Sequence, residues 1–502
     1  MITIKKTYKI INMKHRFRIE LIAFSLGIIL FTSCTKTLDN MARLNINENS
    51  PTSVIPSALL TQAEFSGVFT NQGGFGDGQL GVFNGHSAGN HATGLAYNQY
   101  QLNNGDLQYL FTNAYTSSLM NLNQIILNAK ANEKAYVGVA QILQAYQLGY
   151  LTTLYGDIPW SQALDVAQFP QPKYDAQADV YKSIQTLLTT GISNIDAAGA
   201  TATIKGDILY AGNLKKWKAL AYMLSARYYN HFSKKDAAGS ATSALKAIAD
   251  AKAAGFTSSS YDFTLPYNGT SDLMNPWQST YINGMYVAHK LFLDMIMADS
   301  DPRLRAFYTS NSGTVPSRPA YGLGKLQDGD VGTGAYMSIG DSTYYGSKAS
   351  PVLFATNFEM LFIEAEANMR LGKPAEAATA LNAAVAAHLN QVISFSADKL
   401  LIPAYIAKHG AETSATITME KIMVEKYKAM FAQEAESWMD VRRHDYKYPS
   451  WLAIPVVSNT AATKVKVATS FMQRLLYPQS ELDKNKANVP AATLYDALPI
   501  LK

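Results

Sequence analysis

The stretch TNFEMLFIEAEANMRLGKPAEAATALNAAVAAH, residues 356–388, decides the fold class. Thr356 and Glu359 stand at capping-box spacing, and Phe358, Leu361, Phe362, Ala365 and Met369 follow at intervals of three and four. A threonine oxygen ahead of a helix accepts the free amide hydrogens of its first turn, and apolar residues at that period line one face. Gly372 supplies a left-handed stop, and Pro374, whose fixed φ suits a first helical position, restarts the chain. Ala377, Leu381, Ala384, Val385 and His388 then make a second stripe. The segment is a helix, a short turn and a second helix, each with an apolar face to bury.

The same period recurs on both sides of this unit. Val139, Ile142, Leu143, Tyr146, Tyr150 and Leu154 predict a helix that Gly156 and Pro159 end. Leu214, Trp217, Leu220, Ala221, Leu224 and Tyr228 predict another, and residues 419–438 one long final helix. The small residues and the Gly372, Glu376, Ala377 join resemble a tetratricopeptide unit, in which such pairs stack, although no clean repeat at that spacing runs along the chain. The expected class is all-α: tetratricopeptide-like helix pairs with a loop-rich second lobe packed on them. That lobe is expected from two tracts, residues 67–106 and 257–351, dense in Gly, Asn, Gln and aromatic residues, where strand alternation is not sustained and short hairpins have room to hide.

At 502 residues, 48% of them apolar and 16% charged, the chain has a globular composition with enough material for a large core. Its net charge of +5 comes from the leader, where Lys5, Lys6, Lys9, Lys14, Arg16 and Arg18 stand against Glu20 and the remainder balances. The body is neutral and lacks a basic patch interleaved with aromatics, so nucleic acid is not an expected partner.

The leader continues with an apolar run, LIAFSLGIILF at residues 21–31, and then Thr32-Ser33-Cys34. The run is too short to cross a bilayer as a helix, which takes about 20 residues, but it has the length of a signal-peptide segment. Small residues before a single cysteine resemble the bacterial lipoprotein signal. Residues 1–33 are therefore expected to be a signal peptide, Cys34 the lipid attachment point, 34–50 a polar tether and 51–502 a single domain. Met13-Lys14-His15-Arg16 makes a more ordinary start, so Met1 is read as a misassigned initiator. Cys34 is the only cysteine, so the body has no disulfide and depends on its core.

One hydrolase pattern occurs, Gly85-His86-Ser87-Ala88-Gly89, which fits a serine nucleophile elbow. That motif works by lifting the serine above a parallel sheet on a strand-to-helix turn, and here no strand of useful length precedes it. A serine esterase is the enzymatic alternative, and the leading expectation is a protein without catalysis. Gly76 to Gly81 has the glycine spacing of a dinucleotide loop but no strand before it. Asp328 and Asp330 begin like a calcium loop that fails at Thr333 and Ile339, and His86 with His91 fits no familiar metal spacing. No metal or cofactor is expected.

What remains is aromatic and amide chemistry. A sugar ring stacks its C–H face on Tyr or Trp, and its hydroxyls need Asn or Gln partners. Tyr97, Tyr100 and Asn103 in the first tract, with Asn275, Trp277 and Tyr281 in the second, supply those groups and are the candidate ligand contacts. Trp and Tyr equally anchor loops onto a core.

Several segments together resemble the SusD/RagB family of surface nutrient-binding lipoproteins, in its SusD-like branch. They are Cys34 with the Asn-rich start at 45–51, YGDIPW at 155–160, DPRL at 301–304, Ser350-Pro351 before the helix with IEAEA at 363–367, WMDVRR at 438–443, and RLLYP at 474–478 followed by Glu481, Asn485 and Asn488. The resemblance implies a helical-pair scaffold, placement on the outer face of a Gram-negative outer membrane, and action as a lid over a SusC-like TonB-dependent transporter that receives oligosaccharide. It implies structural roles for Gly156 and Pro159, and a local ion pair or cap for Asp301 and Arg303. The remaining alternatives are a peptide-binding relative and an interaction scaffold that binds nothing small.

Overall fold

The computed structural model describes residues 55–69, 75–90, 93–270, 274–277, 284–310, 336–454, 468 and 470–502. The expected signal segment, Cys34, the expected tether, His91, Tyr281, Asp328 and Asp330 lie outside them. The chain divides into Met1–Ile55 and Pro56–Lys502, and the description below concerns the second unit.

Its first half is helical: α1 (Pro56–Phe69), α2 (Phe75–Asn84), a short β1 (Ser87–Gly89), α3 (Thr93–Asn98) and α4 (Gln108–Asn113). A π turn at Ala114–Leu119 leads into α5 (Met120–Asn128), followed by α6 (Lys134–Tyr155), α7 (Gln177–Ala198) and α8 (Leu214–Asn230). A 3-10 turn, His231–Lys234, leads to α9 (Ala237–Ala253). The second tract holds β2 (Phe263–Leu265), β3 (Tyr286–Ala288), α10 (Lys290–Ala298), α11 (Leu304–Phe307), β4 (Thr309–Ser310) and β5 (Met337–Ser338), and β6 (Val352–Ala355) follows directly after it. The chain returns to helices with α12 (Asn357–Arg370), α13 (Pro374–Val392), α14 (Ser396–Lys399), α15 (Ile402–His409), α16 (Met419–Ala429), α17 (Glu434–Arg443) and α18 (Gln479–Lys484).

Three pairs carry the scaffold: α6 on α7, α8 on α9, and α12 on α13. Contacts of α7 with α8 and of α9 with α12 stack them in that order. The stripes predicted for α6, α8, α12 and α13 are buried almost throughout. In the first pair the helices touch through glycine: a Cβ on Gly138 would stand 2.7 Å from the Gly191 carbonyl, and one on Gly191 2.9 Å from that of Gly138. With Gly138 near the start of α6 and Gly191 near the end of α7, the pair is antiparallel. Gly372 (φ 68) and Pro374 make the turn between α12 and α13 as expected.

The structure corrects four local expectations. The residues read as one helix over 419–438 are two, α16 and α17, separated by a turn in which Ala432 takes a left-handed φ of 61. Buried Glu434 holds the turn by accepting the Ala432 amide hydrogen at 2.9 Å while it binds His86 and Asn84 of another segment. Thr356 caps α12 by accepting from the Glu359 amide, but the Glu359 carboxylate turns to Arg227 and leaves the capping box half made. The tract 67–106 is more helical than its glycine content suggests, and the Gly76–Gly81 pattern lies inside α2.

The fourth correction concerns the strands. They form three two-stranded antiparallel ribbons, β1–β3, β2–β6 and β4–β5, and two of these are long-range pairings rather than local hairpins. β2–β6 ties the two ends of the second tract together, and β1–β3 joins the first tract to the second.

Candidate functional site

The two tracts meet at β1–β3, where Ser87 pairs with Ala288 and Gly89 with Tyr286. The seam continues as the Asn90 amide donates to the Met285 carbonyl (2.7 Å) and the Asn90 side chain to that of Gly284 (3.1 Å). Asn98 brackets Gly89, accepting from its N–H and donating to its carbonyl. Gly89 is required here, since a Cβ would fall 1.9 Å from the Gly94 carbonyl oxygen.

Of the predicted contact residues, Tyr97, on α3, and Trp277 adjoin this seam, and those that are described mostly face inward. Tyr97 and Tyr100 are 4% exposed and meet the Phe83 ring at 6.4 and 6.3 Å, and Phe83 in turn lies 5.3 Å from Trp438. Burial, with the Asp106 carboxylate at 3.3 Å, pushes the Tyr97 hydroxyl up to about 12. Asn275 donates to the carbonyls of Tyr345 and Ser350 at 2.9 Å and accepts from the Trp277 amide, so its side chain is spent on loop closure. Trp277 is 2% exposed and lines a void of about 10 Å³ with Ser87, Tyr286, Val287, Tyr308 and Ile339, room for about one water. Asn103 is exposed and closes a turn by accepting from the Gly105 amide.

Four of the six residues therefore pack the lobe, and none of those four presents an open face. The physical reason is the thinness of the ribbons. Strands of two to four residues bury little surface, so large rings must supply the core, each bringing roughly 150–250 Å².

The serine pattern also resolves. Ser87 follows a helix and opens an antiparallel ribbon, not the strand-to-helix turn an elbow needs. Its neighbour His86 faces Glu434 through Nδ1 (2.7 Å) and the Tyr427 carbonyl through Nε2 (3.0 Å). Both ring nitrogens are engaged by acceptors, which leaves none to take a proton from Ser87.

Buried charge pins this lobe to the scaffold. Arg303 binds Asp301 through two nitrogens (2.8 and 2.6 Å) and reaches Tyr405 and Glu425 on α15 and α16. Burial alone would raise the Asp301 carboxyl, but Arg303 and Lys428 hold it well below the usual range. The expected pair is thus present, as part of a buried network rather than a surface contact. Arg227 on α8 likewise grips Glu359 and the Phe354 carbonyl within β6. Glu436, despite its burial, is brought down to about 2 by Arg227 and His231.

The other quoted motifs converge on the end of α6. Gly156 (φ 79) terminates the helix, Arg442 donates to the Thr153 and Gln473 carbonyls, and Arg474 donates to the Tyr155 carbonyl. Tyr477 donates to the Asp157 carbonyl, and Glu481, Asn485 and Asn488 hold Tyr174, Pro172 and Gln171.

Sequence reasoning missed one feature, an open groove of about 500 Å³ between α7, α8, the 231–234 turn and α9, lined by Tyr181, Tyr228, Tyr229 and Phe232. The signal was the run RYYNHF at 227–232, three rings crowded where a helix ends.

A family pattern described as "Starch-binding associating with outer membrane" matches residues 48–478. The chain belongs to the SusD-like family. Solved structures agree with this SusD-like fold. A SusD homologue from Bacteroides fragilis is 21% identical, with a TM-score of 0.66 over 89% of this chain and 100% of its own. One from Bacteroides uniformis is 17% identical, with 0.68 over 89% and 98%. A third structure, named a chitin-binding protein, is 23% identical, with 0.66 over 86% and 95%. No curated protein sequence is matched. SusD-like proteins form an outer-membrane-associated family of glycan-binding proteins, and among the described residues of this one no helix is long and apolar enough to cross a membrane.

Proposed function

We propose that this protein captures oligosaccharide at the cell surface and passes it, unaltered, to a SusC-like TonB-dependent transporter. The family match over residues 48–478 carries the reading. The seam supports it physically: described parts of two distant tracts are tied together by backbone hydrogen bonds, and a surface held in place binds without first losing chain entropy. Asn103 would contact ligand at the rim. Tyr97, Tyr100, Asn275 and Trp277 would hold that rim in shape from beneath, with Tyr281 as the remaining contact in the second tract. Cys34 would carry the lipid that keeps the body at the outer face of the outer membrane.

Titration of the purified protein with maltoheptaose and chitohexaose in a calorimeter tests capture, and saturable binding without release of reducing ends is expected. Asn103→Ala is expected to weaken it several-fold. Absence of binding to any saccharide, with a peptide ligand found instead, would replace the glycan reading. Acyl-ester turnover abolished by Ser87→Ala would replace capture altogether. Detergent extraction from native membranes is expected to co-purify a large barrel transporter, and recovery of a soluble partner alone would favour a scaffold.

A further inference from the structure

The groove beside α8 is a built surface. Its floor is fixed by a chain of bonds: the Tyr181 hydroxyl meets His231 Nδ1 at 2.8 Å, and His231 Nε2 meets Glu436 at 2.8 Å. Tyr181 in turn stands edge-on to Phe232, with centroids 4.9 Å apart at 78°, and Gln185 is held by Ser225 on α8 at 2.6 Å. Tyr228 is buried, so the rings left half-open to the groove are those of Tyr229 and Phe232. Around them, the Tyr229 hydroxyl and the Ser243 hydroxyl, on the α9 face, make no hydrogen bond to other described residues.

The charges in the groove are already answered. Lys182 pairs with Asp179 at 2.8 Å, and Asp236 caps α9 by accepting from the Gly239 amide at 2.9 Å. Among the described residues lining the groove, a phosphate would find no unpaired cation, and the Asp236 carboxylate is turned to the backbone of α9. What the walls offer is ring faces beside hydroxyls open to solvent, in a volume within the range of small-molecule sites. That chemistry suits a neutral, hydroxyl-rich ring whose C–H face stacks on an aromatic side chain.

We infer that this groove is a second saccharide site, on the helical scaffold and separate from the seam, that holds a short neutral oligosaccharide against Tyr229 and Phe232. The inference rests on the saccharide reading above. A second site on the scaffold would let one molecule hold a polysaccharide at two points, raising retention through effective concentration.

The test is calorimetry with maltoheptaose and chitohexaose on three proteins: wild type, Phe232→Ala, and Ser243→Arg, which blocks the groove from α9 while leaving the rings in place. Hydrogen exchange of residues 228–243 is followed with and without sugar. Two binding events in wild type falling to one in both variants, with sugar-dependent protection of 228–243 lost, is the expected result. The lost event is expected to weaken at least tenfold at unchanged melting temperature in Ser243→Arg. A single event that disappears in the variants also supports the groove, and removes the seam as the binding place. A single event identical in all three proteins overturns the groove and leaves surface capture intact, whereas no event in wild type overturns both.

Discussion

At the scale of single residues, buried carboxyls divide by company. Asp301 meets Arg303 and Lys428 and stays ionised, whereas Asp262 meets no cation among the described residues and is pushed up to about 7, chiefly by burial and against the lowering effect of the Asn357 amide and the Gln391 side chain. A carboxyl whose folded value lies above its unfolded value, about 3.9, holds its proton longer when folded. Its stabilising contribution is therefore complete below pH 4 and is lost as pH rises through 7. Asp262→Asn keeps an acceptor for the Asn357 amide, and Gln391 can turn its own amide to match. Urea midpoints are expected to fall for wild type between pH 5 and pH 8, by roughly 1–3 kcal/mol in stability, and to stay flatter in Asp262→Asn. Parallel curves for the two proteins would mean that Asp262 is ionised when folded.

At the scale of elements, the pairs depend on close approach as much as on their stripes. The α6–α7 contact at Gly138 and Gly191 leaves no room for a side chain, since the atom in the way is a backbone carbonyl that no rotamer change can move. Gly138→Val is expected to destabilise by about 1–3 kcal/mol, because overpacking outweighs the helix propensity gained on losing a glycine. Chemical denaturation measures it, and an unchanged or raised midpoint would show that the pair can separate without cost. The division of 419–438 into α16 and α17 belongs to this scale too. Both halves have good helical periodicity, and the break at Ala432 follows from what Glu434 binds, in a segment about 350 residues away.

At the scale of the whole molecule, the scaffold and the lobe are joined by side chains from opposite ends of the sequence, and the last residues close the first long helix pair, with the Ile500 amide donating to Gln177. In the proposed reading, attachment to the membrane falls to Cys34. Cys34→Ser is expected to move the protein from the membrane fraction to the soluble fraction with no change in melting temperature. Retention of the variant in the membrane would show a second attachment. One acyl chain binds membranes only marginally, so wild-type retention in high salt and its mass at Cys34 report how many chains are present.

The sequence alone determined the stripes of α6, α8, α12 and α13, the stops at Gly156 and Gly372, the restart at Pro374, the charge balance of the chain beyond its basic first 33 residues, and the family. These are written in residues a few positions apart, where helical period, capping and backbone freedom act locally. Only the tertiary structure decided that Tyr97, Tyr100 and Trp277 face inward, that Glu359 leaves its capping box for Arg227, that the ribbons pair over long range, and that three rings near 230 border an open groove. An aromatic ring has the same chemistry whether it binds a sugar or fills a core. Which of the two it does depends on the neighbours that distant segments bring to it, and a one-dimensional pattern does not contain those neighbours.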